Sequence, residues 1–219
     1  METYTHNFSN FKIFYGEYQN GGGPFFCDFN HKLVSGLHGE KGLEICSGPG
    51  FLGYHLLYNK VIKELVLADK NFELEPYINQ TNEYNKIEVP FYISDAFDNI
   101  PEDQFDIIIS NPPHLQTEEQ YKMLEDDGFV DKNWNEKHKE YSRFILLDEG
   151  LNFHKKFFND APKYLSEEGK IILYENADFI TPQQLMDLGG NLYDYEVNRS
   201  IFKETETLAD FYALICTKL

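Results

Sequence analysis

The sequence predicts an α/β domain built on a mostly parallel seven-stranded sheet that closes in a C-terminal antiparallel hairpin. Three observations carry that expectation. From Gly42 onward, short apolar runs alternate with stretches of helical periodicity, the pattern of strands joined by helical crossovers. A glycine-rich turn from Ser47 to Gly53 sits directly between the first apolar run and the first helical stretch. The last two apolar runs have no helical pattern between them, so they should pair antiparallel to each other.

In chain order, residues 1–40 are rich in aromatics and contain Gly21-Gly22-Gly23-Pro24-Phe25-Phe26, a turn signal followed by a bulky apolar pair. They read as a cap packed on residues 41–219. Buried strands are expected at Leu43 to Cys46, Leu65 to Ala68, Val89 to Ile93, Asp106 to Ser110 and Lys170 to Tyr174. Helices are expected at Phe51 to Asn59, Phe72 to Asn82, Leu147 to Leu165 and Thr181 to Leu188. Leu192 to Val197 and Phe211 to Thr217 form the closing hairpin. The stretch Gln116 to Tyr141 breaks the rhythm, being long, charged and punctuated by Asp126-Asp127-Gly128 and Trp134. It reads equally as a lid or binding loop and as a solvated surface helix.

The 219 residues, 42% of them hydrophobic, suffice for one substantial core. No apolar run approaches the roughly 18 residues of a membrane span, and the first residues lack the basic and apolar regions of an export signal. The three cysteines, Cys27, Cys46 and Cys216, are widely spaced and form no metal-binding pattern, so no metal and a reducing cytoplasm are expected. A formal charge of -18 repels phosphate backbones, and only Arg143 and Arg199 supply guanidinium groups. Tight binding of nucleic acid by the chain alone is therefore disfavoured. A basic protein substrate or activator partner suits such a surface better.

Glycines between strand and helix let the backbone approach a ligand that a β-carbon would block. Gly48 to Gly53 also satisfies the dinucleotide spacing, so two cofactor classes compete. Charge decides between them. A dinucleotide brings an anionic pyrophosphate to this turn, whereas S-adenosyl-L-methionine brings a sulfonium and an ammonium. Glu44, just before the glycines, would repel the first and receive the second. Cys46, Gly48 and Gly50 are then expected to line the cofactor. Asp69, closing the next strand, suits the two ribose hydroxyls, and Asp95 with the Ala96 backbone suits the adenine. Any one such acid also serves as an ordinary cap at a strand end.

The fourth strand runs Phe105-Asp106-Ile107-Ile108-Ile109-Ser110 into Asn111-Pro112-Pro113-His114. That tract resembles the Asn-Pro-Pro-aromatic motif of amino-group methyltransferases, including the HemK/PrmC-like glutamine methyltransferases and base-modifying enzymes. A second tract, Leu147-Asp148-Glu149-Gly150-Leu151-Asn152-Phe153, resembles the Asp-Gly-Leu region of HemK-like proteins. The resemblance spans roughly Leu43 to Tyr174 and implies a Rossmann-like class I methyltransferase fold and transfer of methyl from S-adenosylmethionine to a planar nitrogen. An amide or aryl-amine nitrogen is a poor nucleophile because its lone pair is delocalised. The Asn111 side-chain oxygen and the Pro112 carbonyl would accept its two protons, and the prolines would aim these acceptors in advance. His114 would stack on the planar group.

Two departures qualify the resemblance. Residues 1–40 are too few for the separate helical domain with which the glutamine enzymes recognise release factors, and those enzymes usually carry tyrosine where this chain has His114. A protein glutamine amide is the leading acceptor, a nucleic-acid base amine is the enzymatic alternative, and a cofactor-binding regulatory or scaffolding subunit is the non-enzymatic one. His6, His31, His38, His55, His138 and His154 show no ligand spacing and read as solvated or core residues. Phe25, Phe26 and Trp134 read first as core packing, and second as a cover for the site.

Overall fold

The alternation of side chains along the central strands shows which surfaces they bury. Ile107, Ile109, Ile172 and Tyr174 belong to one hydrophobic cluster, and Ile108, Ile171 and Leu173 to a second. Successive residues of a strand point to opposite faces. Both faces of the sheet are therefore covered, which is why these strands read as continuous apolar runs. In the computed structural model, residues 3–17, 19, 23–128, 130–131, 133–199 and 210–219 are described.

The seven-stranded sheet has the order β5-β4-β3-β6-β7-β9-β8. Its members are β3 (Lys41–Ile45), β4 (Glu64–Asp69), β5 (Phe91–Ile93), β6 (Phe105–Ser110), β7 (Leu165–Asn176), β8 (Tyr193–Asn198) and β9 (Phe211–Lys218). Strands β3 to β7 pair in parallel, and β9 runs antiparallel to both β7 and β8. The expected mostly parallel sheet with an antiparallel close is present. Strand order reverses between β3 and β6, because β4 and β5 lie on one side and β7 on the other. Open α/β sheets leave a crevice at the carboxyl ends of strands at such a reversal.

Helices α2 (Phe51–Tyr58) and α3 (Glu75–Asn85) contribute Leu52, Leu56 and Ile78 to the first cluster. Helices α6 (Asn152–Tyr164) and α7 (Pro182–Gly189) contribute Phe157, Phe158 and Leu185 to the second. The expected helix from Leu147 begins only at Asn152, because Gly150 and Leu151 adopt left-handed φ values of 63° and 58°. The helix expected from Phe72 is a short 3₁₀ turn at Phe72–Leu74 running into α3. Helix α7 starts where Thr181 and Gln184 form a reciprocal capping box ahead of Pro182.

Within residues 1–40, β1 (Thr3–Phe8) and β2 (Phe11–Gly16) form a separate antiparallel hairpin, followed by α1 (Gly23–Leu33). The hairpin docks on α3 through Phe14 N–H to Thr81 Oγ1 and Lys12 N–H to Asn85 Oδ1, each 3.0 Å. Gly21 and Gly22 of the expected turn lie outside the described residues, as do 200–209 between the last two strands. The stretch Gln116 to Tyr141 contains α4 (Glu118–Asp126) and most of α5 (Glu136–Leu146), capped by Thr117 and Asn135.

Candidate active site

Strand β3 delivers Glu44 to the reversal point, and the turn after it enters α2 through Gly50, whose φ is 90°. A β-carbon on Gly50 would lie 2.8 Å from both Leu67 and Tyr54, so no other residue fits that turn. Glu44 is only 2% exposed and is held by the start of α2. Its Oε2 accepts from Gly53 N–H at 2.7 Å and its Oε1 from Leu52 N–H at 3.3 Å. A β-carbon on Gly53 would come within 2.7 Å of Glu44 Oε2, so the glycine admits the carboxylate. Burial pushes the Glu44 carboxyl up to about 8, against the opposing pull of those two N–H groups.

Asp69 ends β4 and closes the far side of the glycine turn. Its Oδ2 accepts from Gly48 N–H at 2.8 Å and its Oδ1 from Asn71 N–H at 2.9 Å. Burial raises its pKa despite these donors. Cys46, at φ 52°, lies close enough to Asp69 to feel its charge, and burial pushes its thiol up.

These residues share one cavity of about 440 Å³ with the turn after β6. Glu44, Cys46, Gly48, Asp69, Asn111, Pro112 and His114 all line it, so it brings four of the expected cofactor residues together with the expected acceptor turn. That volume suits a drug-sized ligand. Gly50 shapes the turn from behind. Asp95 and Ala96 are not among the lining residues. Asp95 is exposed and pairs with Lys156 at 3.0 Å, and Ala96 is buried with φ 49°.

The remaining wall comes from α5 and the turn before it: Trp134, Tyr141, Phe144 and Leu146 face the cavity. Tyr121 on α4 bonds Ser142 on α5, Asn71 Nδ2 donates to Tyr141 OH at 3.4 Å, and Lys70 Nζ lies 4.5 Å from the Phe144 ring centre. The two openings left by the sequence for this stretch thus combine, since helices rather than a loop form the cover. Trp134 is 37% exposed and stacks on His138, so it belongs to the cover rather than to the core. Phe25 and Phe26 also line the cavity while packing on Phe211.

The acceptor turn is braced from behind. Leu115 pairs with Leu147, with Leu115 N–H donating to Leu146 O at 2.8 Å and Asp148 N–H to Leu115 O at 2.7 Å. The two tracts quoted from the sequence therefore touch. His114 Nδ1 lies 2.8 Å from Glu175 Oε2, and Glu175 Oε1 lies 2.7 Å from His154 Nε2. Sequence reading missed Glu175 and took His154, like the other scattered histidines, as a solvated or core residue. The available signal was an acid, Glu175, ending an otherwise apolar run. Among the described residues, no cluster of possible metal ligands is present and no helix is long and apolar enough to cross a membrane.

Residues 29–131 match the family described as methyltransferase small domain. The chain is 29% identical over 146 residues to a release factor glutamine methyltransferase of Thermodesulfovibrio yellowstonii, covering 65% of this chain and 48% of that protein. It is 29% identical over 133 residues to one of Lactococcus lactis, covering 61% and 46%. The chain therefore spans about half the length of these relatives. Among solved structures, the Thermus thermophilus 16S rRNA N2 methyltransferase RsmC, in complex with AdoMet and guanosine, superposes with a TM-score of 0.62 at 16% identity, covering 100% of this chain and 50% of that one. A Pyrococcus furiosus methyltransferase superposes with a TM-score of 0.59 at 18% identity, covering 87% and 82%. Its sheet order, its cavity at the strand reversal and these superpositions give the chain the Rossmann-like fold of class I methyltransferases, and in sequence it is similar to the HemK/PrmC-like release factor glutamine methyltransferases.

Proposed function

We propose that this chain is an S-adenosylmethionine-dependent N-methyltransferase acting on a planar side-chain amide of a protein, a glutamine in the first instance. One observation carries the reading: Asn111, Pro112 and His114 open onto the same cavity as Glu44, Gly48 and Asp69. A cofactor held by the acids then lies beside acceptors aimed at a nitrogen. The residues fit this cofactor, because a buried carboxyl raised to about 8 lacks a counter-ion that a bound ammonium would supply, favouring its ionised form, whereas a pyrophosphate would oppose that ionisation. Glu44 would hold the methionine ammonium, and the remaining lone pairs of Asp69 the ribose hydroxyls. Asp95 and Ala96 would meet the adenine at the edge of the site.

When bound, this cofactor supplies an electrophilic methyl group on a sulfonium. The chain's own part is positioning: Asn111 and Pro112 hold the amide protons out of conjugation and bring the nitrogen into line. The cover formed by α5 excludes water. An acidic surface, with net charge -18, favours a basic protein as substrate or partner in the cytoplasm. The glutamine reading is supported by relatives named as release factor glutamine methyltransferases.

Intact-mass analysis tests it. The purified chain, S-adenosylmethionine and a purified bacterial release factor should yield a release factor heavier by one methyl group, on a glutamine. Methylation of total RNA in parallel, with the protein untouched, would transfer the reading to a base amine. Methylation of neither, together with no binding of S-adenosylhomocysteine, would remove it.

A further inference from the structure

Behind the acceptor turn, four side chains form a line running away from the cavity. Asp148 Oδ2 lies 2.6 Å from His154 Nδ1, His154 Nε2 lies 2.7 Å from Glu175 Oε1, and Glu175 Oε2 lies 2.8 Å from His114 Nδ1. They come from four places in the chain: the turn before α6, α6 itself, β7, and the turn after β6. His154 and Glu175 have no exposed surface, and Asp148 is 5% exposed. Only His114 reaches the cavity, with 13% of its side chain exposed.

With Asp148 and Glu175 both ionised, the hydrogen-bond inventory assigns the protons. An ionised carboxylate only accepts, so His154, facing one at each nitrogen, must donate from both and is an imidazolium. Burial opposes that charge, yet Glu175 and Asp148 together raise the pKa of His154. Burial likewise pushes Glu175 up, and His154 and His114 outweigh it, holding Glu175 below the usual carboxylate range. An ionised Glu175 then requires a proton on His114 Nδ1. In the neutral ring the other nitrogen, Nε2, is a bare lone pair. No hydrogen bond to His114 Nε2 is present among the described residues. Stacking on a substrate asks only for a flat ring. It gives no reason for a buried carboxylate, itself clamped by a cation, against the ring's far edge.

We propose that His114 is the proton acceptor of methyl transfer, with Glu175 as the positioning residue that fixes its tautomer, held in turn by His154 and Asp148. This rests on the methyltransferase reading above. As the amide nitrogen bonds the methyl carbon, the carbon–sulfur bond breaks and its electron pair stays on sulfur. One N–H bond also breaks, its pair returning to nitrogen and its proton passing to His114 Nε2. The positive charge that leaves sulfur thus arrives on an imidazolium facing Glu175. Asn111 and Pro112 orient the N–H groups, but neither an amide oxygen nor a peptide carbonyl retains a proton near neutrality.

The test has two arms on the full chain saturated with S-adenosylhomocysteine or S-adenosylmethionine. Long-range proton–nitrogen NMR of histidine-labelled protein should show His114 protonated at Nδ1 and bare at Nε2. In single-turnover transfer to a release factor, His114→Phe, which keeps the flat ring, should lose roughly a hundredfold or more in rate, together with any solvent deuterium effect. Its S-adenosylhomocysteine affinity should stay unchanged. Glu175→Gln should reproduce the rate loss, and should it misfold, His114→Phe decides alone. A His114 protonated at Nε2, or a His114→Phe variant transferring at the wild-type rate, overturns the proposal. If the wild-type chain transfers no methyl to the release factor, the glutamine reading fails by itself. The NMR arm then still decides: Nδ1–H supports the relay and Nε2–H overturns it.

Discussion

Glu44 shows how a single side chain ties stability to function. Its carboxyl ionises near 4.5 in an unfolded chain and at about 8 in the folded one, because burial outweighs the two N–H donors. A group raised on folding contributes stability that is fully present below its unfolded pKa and is lost as pH climbs through the folded value. The melting temperature of cofactor-free protein should therefore fall between about pH 5 and about pH 8. Glu44→Gln should fall less over that range while binding S-adenosylhomocysteine more weakly. Parallel thermal melts across a pH series check this, and identical slopes for the two proteins would contradict it. Calorimetry with NAD should give no binding, since a pyrophosphate would meet this carboxylate. Glu44 and Asp69 were legible in the sequence because strand ends place their acids by chain position alone. Asp148, His154 and Glu175 were not, because what gives them meaning is contact across residues 148–175, which only folding creates.

At the scale of elements, α5 separates what patterns reveal from what packing decides. Strands β3, β4 and β6 were readable because burial on both faces keeps most of their positions apolar and leaves the polar residues near the strand ends. The hairpin β1–β2 was not read, since its first strand, Thr3–Phe8, lies mostly exposed and carries no apolar alternation. Helix α5 is polar along most of its length, and only Ser142 is fully buried within it. Its capping by Asn135, which accepts from His138 N–H at 3.0 Å, and its ties to Tyr121 and Asn71 hold it over the cavity. Phe144 is 38% exposed, so its removal leaves the core intact. Phe144→Ala should weaken S-adenosylhomocysteine binding by up to about tenfold, the loss of roughly 1.4 kcal/mol of apolar contact, with little change in melting temperature. Calorimetry beside thermal melts checks it. A large drop in melting temperature would instead make α5 part of the folding core.

Across the whole molecule, the proposed function assigns recognition to the net charge of -18 and chemistry to the cavity at the strand reversal. A surface this acidic releases few counterions from DNA or RNA, so gel shifts of the chain alone should show only weak, sequence-independent binding at physiological salt. Submicromolar binding that collapses as salt rises would favour the base-modifying alternative. In the proposed function the turn after β6 performs catalysis while the acids of β3 and β4 hold the cofactor, and Asn111→Ala separates the two. In single-turnover transfer to a release factor, measured beside an S-adenosylhomocysteine titration, this variant should lose about a hundredfold to a thousandfold in rate, the usual cost of one preorganised hydrogen-bond partner. Its cofactor affinity should remain near that of the wild type. Transfer at the wild-type rate would make the Asn-Pro-Pro turn a strand terminator only, with no part in catalysis.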